Sequence, residues 1–101
     1  MYLSEQSGGF MAPSVYSKEN LLKRVLREFC LKYQLSKREA EVLKLLVTKT
    51  VTAKEVASSL SISVNTARIH FQNIFLKLRV TSKTEVLGSF VDFMLEDRVR
   101  N

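Results

Sequence analysis

The sequence is poor in the residues that small proteins use to staple or punctuate a fold. Its 101 residues hold one cysteine, one proline, one histidine, three glycines and no tryptophan. A single cysteine, Cys30, excludes an internal disulfide and any metal cluster resting on thiolates. Set among apolar residues, it reads as a small buried hydrophobe. His70 has no second imidazole to share a metal or a proton with. It is expected instead to pack, hydrogen-bonded, at the edge of the core or near a phosphate. The chain has no glycine-rich phosphate loop, no Ser-His-Asp set and little length to enclose a pocket, so catalysis, metals and cofactors are not expected. No apolar run is long enough for a bilayer. The N-terminus shows neither the basic leader nor the hydrophobic segment of a signal peptide, which points to the cytoplasm. Strand alternation, repeats and low-complexity tracts are also lacking.

Acid is scarce where its absence matters most. No carboxylate occurs between Glu55 and Glu85. Residues 34–82 carry eight cations against three carboxylates, whereas residues 83–101 carry three against four. The net charge of +6 and the pI near 9.7 fit an anionic partner, either nucleic acid or an anionic membrane surface. The placement of the excess is more telling than the total. Forty-six per cent of residues are hydrophobic, enough for the core of one small domain.

What is present is helical periodicity with start signals. Residues 1–16, with Gly8-Gly9 and Pro13, read as a loose arm. Ser17 can cap a helix running to Tyr33, in which Leu21, Leu22, Val25, Leu26, Phe29, Cys30 and Tyr33 form an apolar stripe. Such a stripe must be covered, most simply by the last helix, within one chain or across a dimer. Ser36 and Glu39 form a capping box for a second helix, apolar through Ala40, Val42, Leu43, Leu46 and Val47, that fades in the β-branched stretch at Thr48 to Val51. Thr52 and Glu55 form another, before Val56, Ala57 and Leu60. Ser63 caps a longer helix with Ala67, Phe71, Ile74, Phe75 and Leu78 on one side and Asn65, Arg68, Gln72 and Asn73 largely on others. Phe71, Phe75 and Phe90 are expected in the core. Ser82 and Glu85 make a third box for a last helix, whose Val86, Leu87, Phe90, Val91, Phe93, Met94 and Leu95 exceed what one core stripe needs. Two helices joined by a short turn, the second polar outside, form a helix-turn-helix pattern.

Leu35, Arg38, Glu39, Val42 and Leu43, then Lys54-Glu55-Val56-Ala57, Leu60, Ile62-Ser63, Thr66, His70, Asn73-Ile74, Lys77-Leu78 and Ser82, resemble the four-helix DNA-binding domain of LuxR/FixJ/GerE-type bacterial transcription regulators. The resemblance covers roughly residues 34–96. It implies an all-α fold, a four-helix helix-turn-helix domain over 34–97 preceded by one additional amphipathic helix over 17–33, with 98–101 as a tail. The layout looks like that of a free-standing member. By the same resemblance, the helix from Ser63 to Leu78 enters the major groove of double-stranded DNA. Arg68 would pair with guanine, Ile69 would touch a thymine methyl, and Gln72 would address adenine. Thr52, Lys54, Asn65, Thr66 and Lys77 match positions that grip phosphates. The last helix is the family's usual homodimer contact, which makes Val86, Phe90, Phe93 and Met94 the expected interface.

Thr50 stands where the family usually has glycine, and Ala53 where it often has asparagine. Two other readings use the same residues. One is a non-enzymatic adaptor that binds another regulator through the helix over 17–33. The other is a sigma-factor-like promoter-reading domain, which the Ser36 and Lys54-Glu55 motifs fit less well.

Overall fold

The computed structural model describes residues 18–49 and 51–100, with side chains over 20–49 and 51–96. The expected arm over 1–16, the Ser17 cap, the Thr50 departure and Asn101 lie outside the described residues. The fold is all-α. Five helices follow in order: α1 (Lys18–Lys32), α2 (Lys37–Lys49), α3 (Ala53–Leu60), α4 (Val64–Leu78) and α5 (Lys83–Arg100). The last runs three residues past the expected boundary at 97.

Capping chemistry starts the helices where the sequence placed it. The Ser36 hydroxyl accepts from the Glu39 amide at 3.2 Å while Glu39 Oε1 accepts from the Ser36 amide at 2.9 Å. Thr52 and Glu55 repeat this reciprocal pair at 3.2 and 2.8 Å. The third box is shifted. Ser82 accepts from the Glu85 amide, but the Glu85 carboxylate takes the amide of Thr81, one residue earlier than a capping box requires.

Three helix ends among the described residues share a device that the scarcity of glycine makes costly. Gln34, Ser61 and Arg79 sit at φ of 56°, 57° and 60°, the left-handed region that favours glycine. In each case the next residue donates back five positions: Leu35 to Cys30, Ile62 to Ala57 and Val80 to Phe75, at 2.9, 3.0 and 3.0 Å. Leu35, Ile62 and Val80 then pack against the core. The hydrophobic anchor just after each helix holds an ordinary residue in a glycine conformation.

α4 lies at the centre, in contact with α2, α3 and α5. Its Ala67, Phe71, Ile74 and Leu78 are buried with Val42, Leu43 and Leu46 of α2 and Val56 and Ala57 of α3. α1 packs on α2 and α5. The fully buried Phe29 ring meets Phe90 edge-on at 5.3 Å and Phe93 at 5.4 Å, and lies 4.8 Å from Tyr33. The additional helix therefore docks on the last one within a single chain. Among the described residues no helix is long and apolar enough to cross a membrane.

Candidate nucleic-acid interface

α3, the turn and α4 form one unit. Ile62 donates to Ala57 O, closing α3 through Ser61, and the next residue, Ser63, caps α4. Ser63 Oγ accepts from the Thr66 amide at 3.0 Å and donates to Thr66 Oγ1 at 2.8 Å. That leaves the Thr66 hydroxyl hydrogen free to donate outward. The first turn of α4 contains no acidic residue, so no carboxylate offsets the positive end of its dipole. A helix terminus of this kind accommodates phosphate.

Along α4, Asn65, Arg68, Ile69, Gln72 and Leu76 are exposed. At 3.6 residues per turn these five fall within an arc of about 100°. The residues behind them, Ala67, Phe71, Ile74 and Leu78, are buried. The expected base-reading set is thus a single outward strip, with the core on the opposite side. Arg68 and Gln72 border a hollow of about 290 Å³ whose wall includes Ala53, Phe75 and Lys83. Lys83 was not singled out from the sequence. Its Nζ sits 4.9 Å from the centre of the Phe71 ring and donates to Val51 O at 3.4 Å, which brings a cation of α5 beside Arg68. Nothing local marks it, because only the packing of α5 against the α2–α3 link moves it there.

The expected phosphate contacts divide. Thr52, Lys54 and Asn65 are exposed, and Thr66 is half-buried at the start of α4. The Thr52 hydroxyl oxygen accepts from the Glu55 amide, which leaves its hydrogen available to a phosphate oxygen. Lys77 is differently placed. Its Nζ donates to Glu39 Oε1 at 2.7 Å and to Gln34 O at 3.0 Å. Two of its three protons are thus spent tying the end of α4 to the α1–α2 corner, which gives it a structural role and leaves one proton for the phosphate contact expected of it. Among the described residues Glu39 is the one charged residue that is buried. Burial raises its carboxyl, but the bonds from Lys77 and from the Ser36 amide more than offset this and hold it below the ordinary glutamate range.

Two further expectations change with the coordinates. Val86 and Phe90 are 0% and 4% exposed, packed inside the protomer, so they have no surface to offer a second chain. Phe93 and Met94 are half-buried on the same helix. Among the described side chains of α5, the outward apolar residues are Val91 and Leu95, 47% and 52% exposed. The surplus of apolar residues is legible in the sequence, but their assignment to faces depends on how α5 packs on α1, α2 and α4. His70 is half-buried as expected, yet its Nδ1 is buried without a hydrogen-bond partner. Cys30 is half-buried, and burial pushes its thiol upward, away from the reactive thiolate. No group of three or more His, Cys, Asp or Glu among the described residues is arranged to hold a metal ion.

Comparison with known proteins agrees with this geometry. Residues 33–89 match the GerE domain of bacterial regulatory proteins of the luxR family. The chain is 44% identical over 61 residues to the spore germination protein GerE of Bacillus subtilis, which covers 60% of this chain and 81% of that protein. It is 35% identical over 77 residues to the response regulator protein VraR of Staphylococcus aureus and of Staphylococcus epidermidis, which covers 73% of this chain but only 36% of VraR. It thus spans about a third of the VraR proteins. No solved structure matches it significantly.

Proposed function

The chain belongs to the luxR family of bacterial regulatory proteins and is a helix-turn-helix, DNA-binding transcriptional regulator rather than an enzyme; we propose that it works as a homodimer reading two half-sites. The observation that carries this reading is the strip formed by Arg68, Ile69 and Gln72, exposed on α4 directly opposite its buried stripe. In the major groove Arg68 is suited to the O6 and N7 acceptors of guanine, Gln72 to adenine and Ile69 to a thymine methyl. The free N-terminus of α4, with Asn65 and Thr66, then faces the phosphates on one side of the groove, and Thr52 and Lys54 at the start of α3 serve the same backbone. Lys83, beside Arg68, joins that set. The absence of acid between Glu55 and Glu85 keeps carboxylate repulsion off α4 and the turn before it.

Val91 and Leu95 support the dimer. They are apolar, exposed and one turn apart on α5. A two-fold pair joined there recognises an inverted repeat whose half-sites lie about one helical turn apart. Selection of bound duplexes from a random pool, followed by titration of the recovered site, tests the whole proposal. Arg68→Ala should lose about 1–3 kcal/mol at one base pair per half-site and bind other sequences as before. Leu95→Glu should bind single half-sites and lose the advantage of the paired site. Should Arg68→Ala match the parent on both selected and random duplex, Arg68 is not a reading residue. Should Leu95→Glu keep the full preference for the repeat, α5 is not the dimer contact.

A further inference from the structure

α1 ends just before the segment that matches the family, residues 33–89, and its packing on α2 creates a surface that DNA reading does not require. Between the two helices runs a groove of about 420 Å³. Leu26, Cys30, Leu31, Leu35 and Ala40 make its apolar lining, and Leu31 is 71% exposed. Along its edges stand Lys23, Arg27, Lys37 and Lys44, all exposed and none in an ion pair among the described residues. The single carboxylate in the groove, Glu41, is already held by Arg38 at 2.9 Å. Four unneutralised cations around an apolar floor leave the groove without its electrostatic and hydrophobic complement.

We propose that this groove docks an acidic amphipathic helix of another protein. The floor takes apolar anchors at i, i+4 and i+7, and glutamates or aspartates beside them meet the four cations. The groove has room for the anchoring side chains of one helix rather than for a folded surface. Its open lip at Leu31 suits a helix lying along α1 better than a small molecule, which needs most of its own surface enclosed. The outer face of α5 is also apolar and acidic, with Val91 and Leu95 beside Asp92 and Glu96. That face is assigned above to the symmetric dimer, and the groove uses no residue of α5, so both contacts can form together. The proposal does not rest on the reading of bases by Arg68.

The test uses the isotope-labelled full chain and a designed helical peptide with leucines at i, i+4 and i+7 flanked by glutamates. The expected result is amide shifts confined to Lys23, Arg27, Leu31, Leu35, Ala40 and their neighbours, with affinity that weakens as salt rises. A peptide with glutamines in place of the glutamates should bind about tenfold more weakly. Arg27→Glu and Lys23→Glu should each weaken the acidic peptide by about tenfold, with unchanged thermal unfolding and duplex affinity. Equal binding of the acidic and glutamine peptides overturns the proposal, as does binding to both variants at the parent's affinity. It also fails if the groove has another occupant. A mass increase that Arg27→Glu abolishes assigns the groove to a second copy. Contacts from residues 1–17 to the Leu31 methyls assign it to the chain's own N-terminal segment. Capture by anionic vesicles in preference to the peptide assigns it to a membrane, and loss of duplex affinity in Arg27→Glu assigns its cations to phosphate.

Discussion

The centre of the chain and its two flanking helices were built on different information. Over residues 52–79 the caps and the main apolar stripe read from the sequence agree with the tertiary structure. Thr52 and Glu55 cap each other, Ser63 caps α4, the apolar stripe of α4 is its buried face, and Arg68 and Gln72 face outward. In α1 and α5 the local signals establish a helix and stop there. α1 carries a stripe whose cover the pattern does not name, α5 carries more apolar residues than one stripe needs, and which of them are inside is decided by contacts far along the chain. Phe29 meets Phe90 and Phe93 where α1 lies across α5, and the packing of α5 on α1, α2 and α4 buries Val86 and Phe90 and leaves Val91 and Leu95 out. Local pattern specifies an element, and long-range packing specifies its faces.

The strongest way to break this contrast is to ask whether α1 is an appendage or part of the fold. Phe29 is fully buried and is the aromatic hub of the α1–α5 contact. Phe29→Ala should cost about 3–5 kcal/mol, the range for truncating a buried ring that leaves a cavity. Urea unfolding followed by circular dichroism should keep a single transition at a lower midpoint, because α1 also buries Val25 and Leu26 in the common core. A separate early transition, with the later one unmoved, would make α1 an appendage and the centre a domain that stands alone.

A smaller effect sharpens the same comparison at the joint between the regions. Lys77 and Glu39 tie the last turn of α4 to the α1–α2 corner, and neither the sequence pattern nor the family resemblance marked them as a pair. Lys77→Met should cost about 2 kcal/mol by removing a charge-assisted bond and leaving Glu39 buried without its cation. Duplex affinity should fall only as far as stability does. The pH dependence gives the independent check. The folded Glu39 carboxyl titrates below its unfolded value, so its contribution is complete above the unfolded pKa and is lost as pH falls through the folded one. The parent should therefore lose stability on acidification below the ordinary glutamate range. Lys77→Met should show a flatter acid limb in chemical denaturation at a series of pH values. An equally steep limb would place the acid sensitivity in other carboxylates.

What was legible in the sequence follows the range of the interaction responsible. Capping boxes span three residues, and two of the three read from sequence have the full reciprocal geometry. In the third, Thr81 offers an amide and a hydroxyl to Glu85 just before Ser82, and a choice between adjacent donors lies below the resolution of a motif. Helix periodicity spans one element, so the outward strip of α4 could be read directly. The engagement of Lys77, the approach of Lys83 to Arg68 and the inward turn of Val86 each join residues far apart in sequence, and spacing carries no trace of them.

The smallest expected effect concerns the three left-handed helix ends, which occur in both regions and so test whether the centre is locally the better optimised. Ser61 holds φ 57° in the turn between α3 and α4, a conformation in which a Cβ costs energy and a glycine does not. Ser61 is exposed, and the bond that closes the turn, Ile62 to Ala57 O, belongs to the backbone. Ser61→Gly should therefore keep the turn and relieve the strain. Part of that relief is offset by the greater freedom glycine gives the unfolded chain, so the net stabilisation should be about 0.5–1 kcal/mol. Gln34→Gly makes the same change between α1 and α2. If local consistency is what distinguishes the centre, Gln34→Gly should stabilise more than Ser61→Gly in parallel thermal unfolding. Equal gains would mean that the three ends are strained alike, and that the centre owes its legibility to cap and stripe alone.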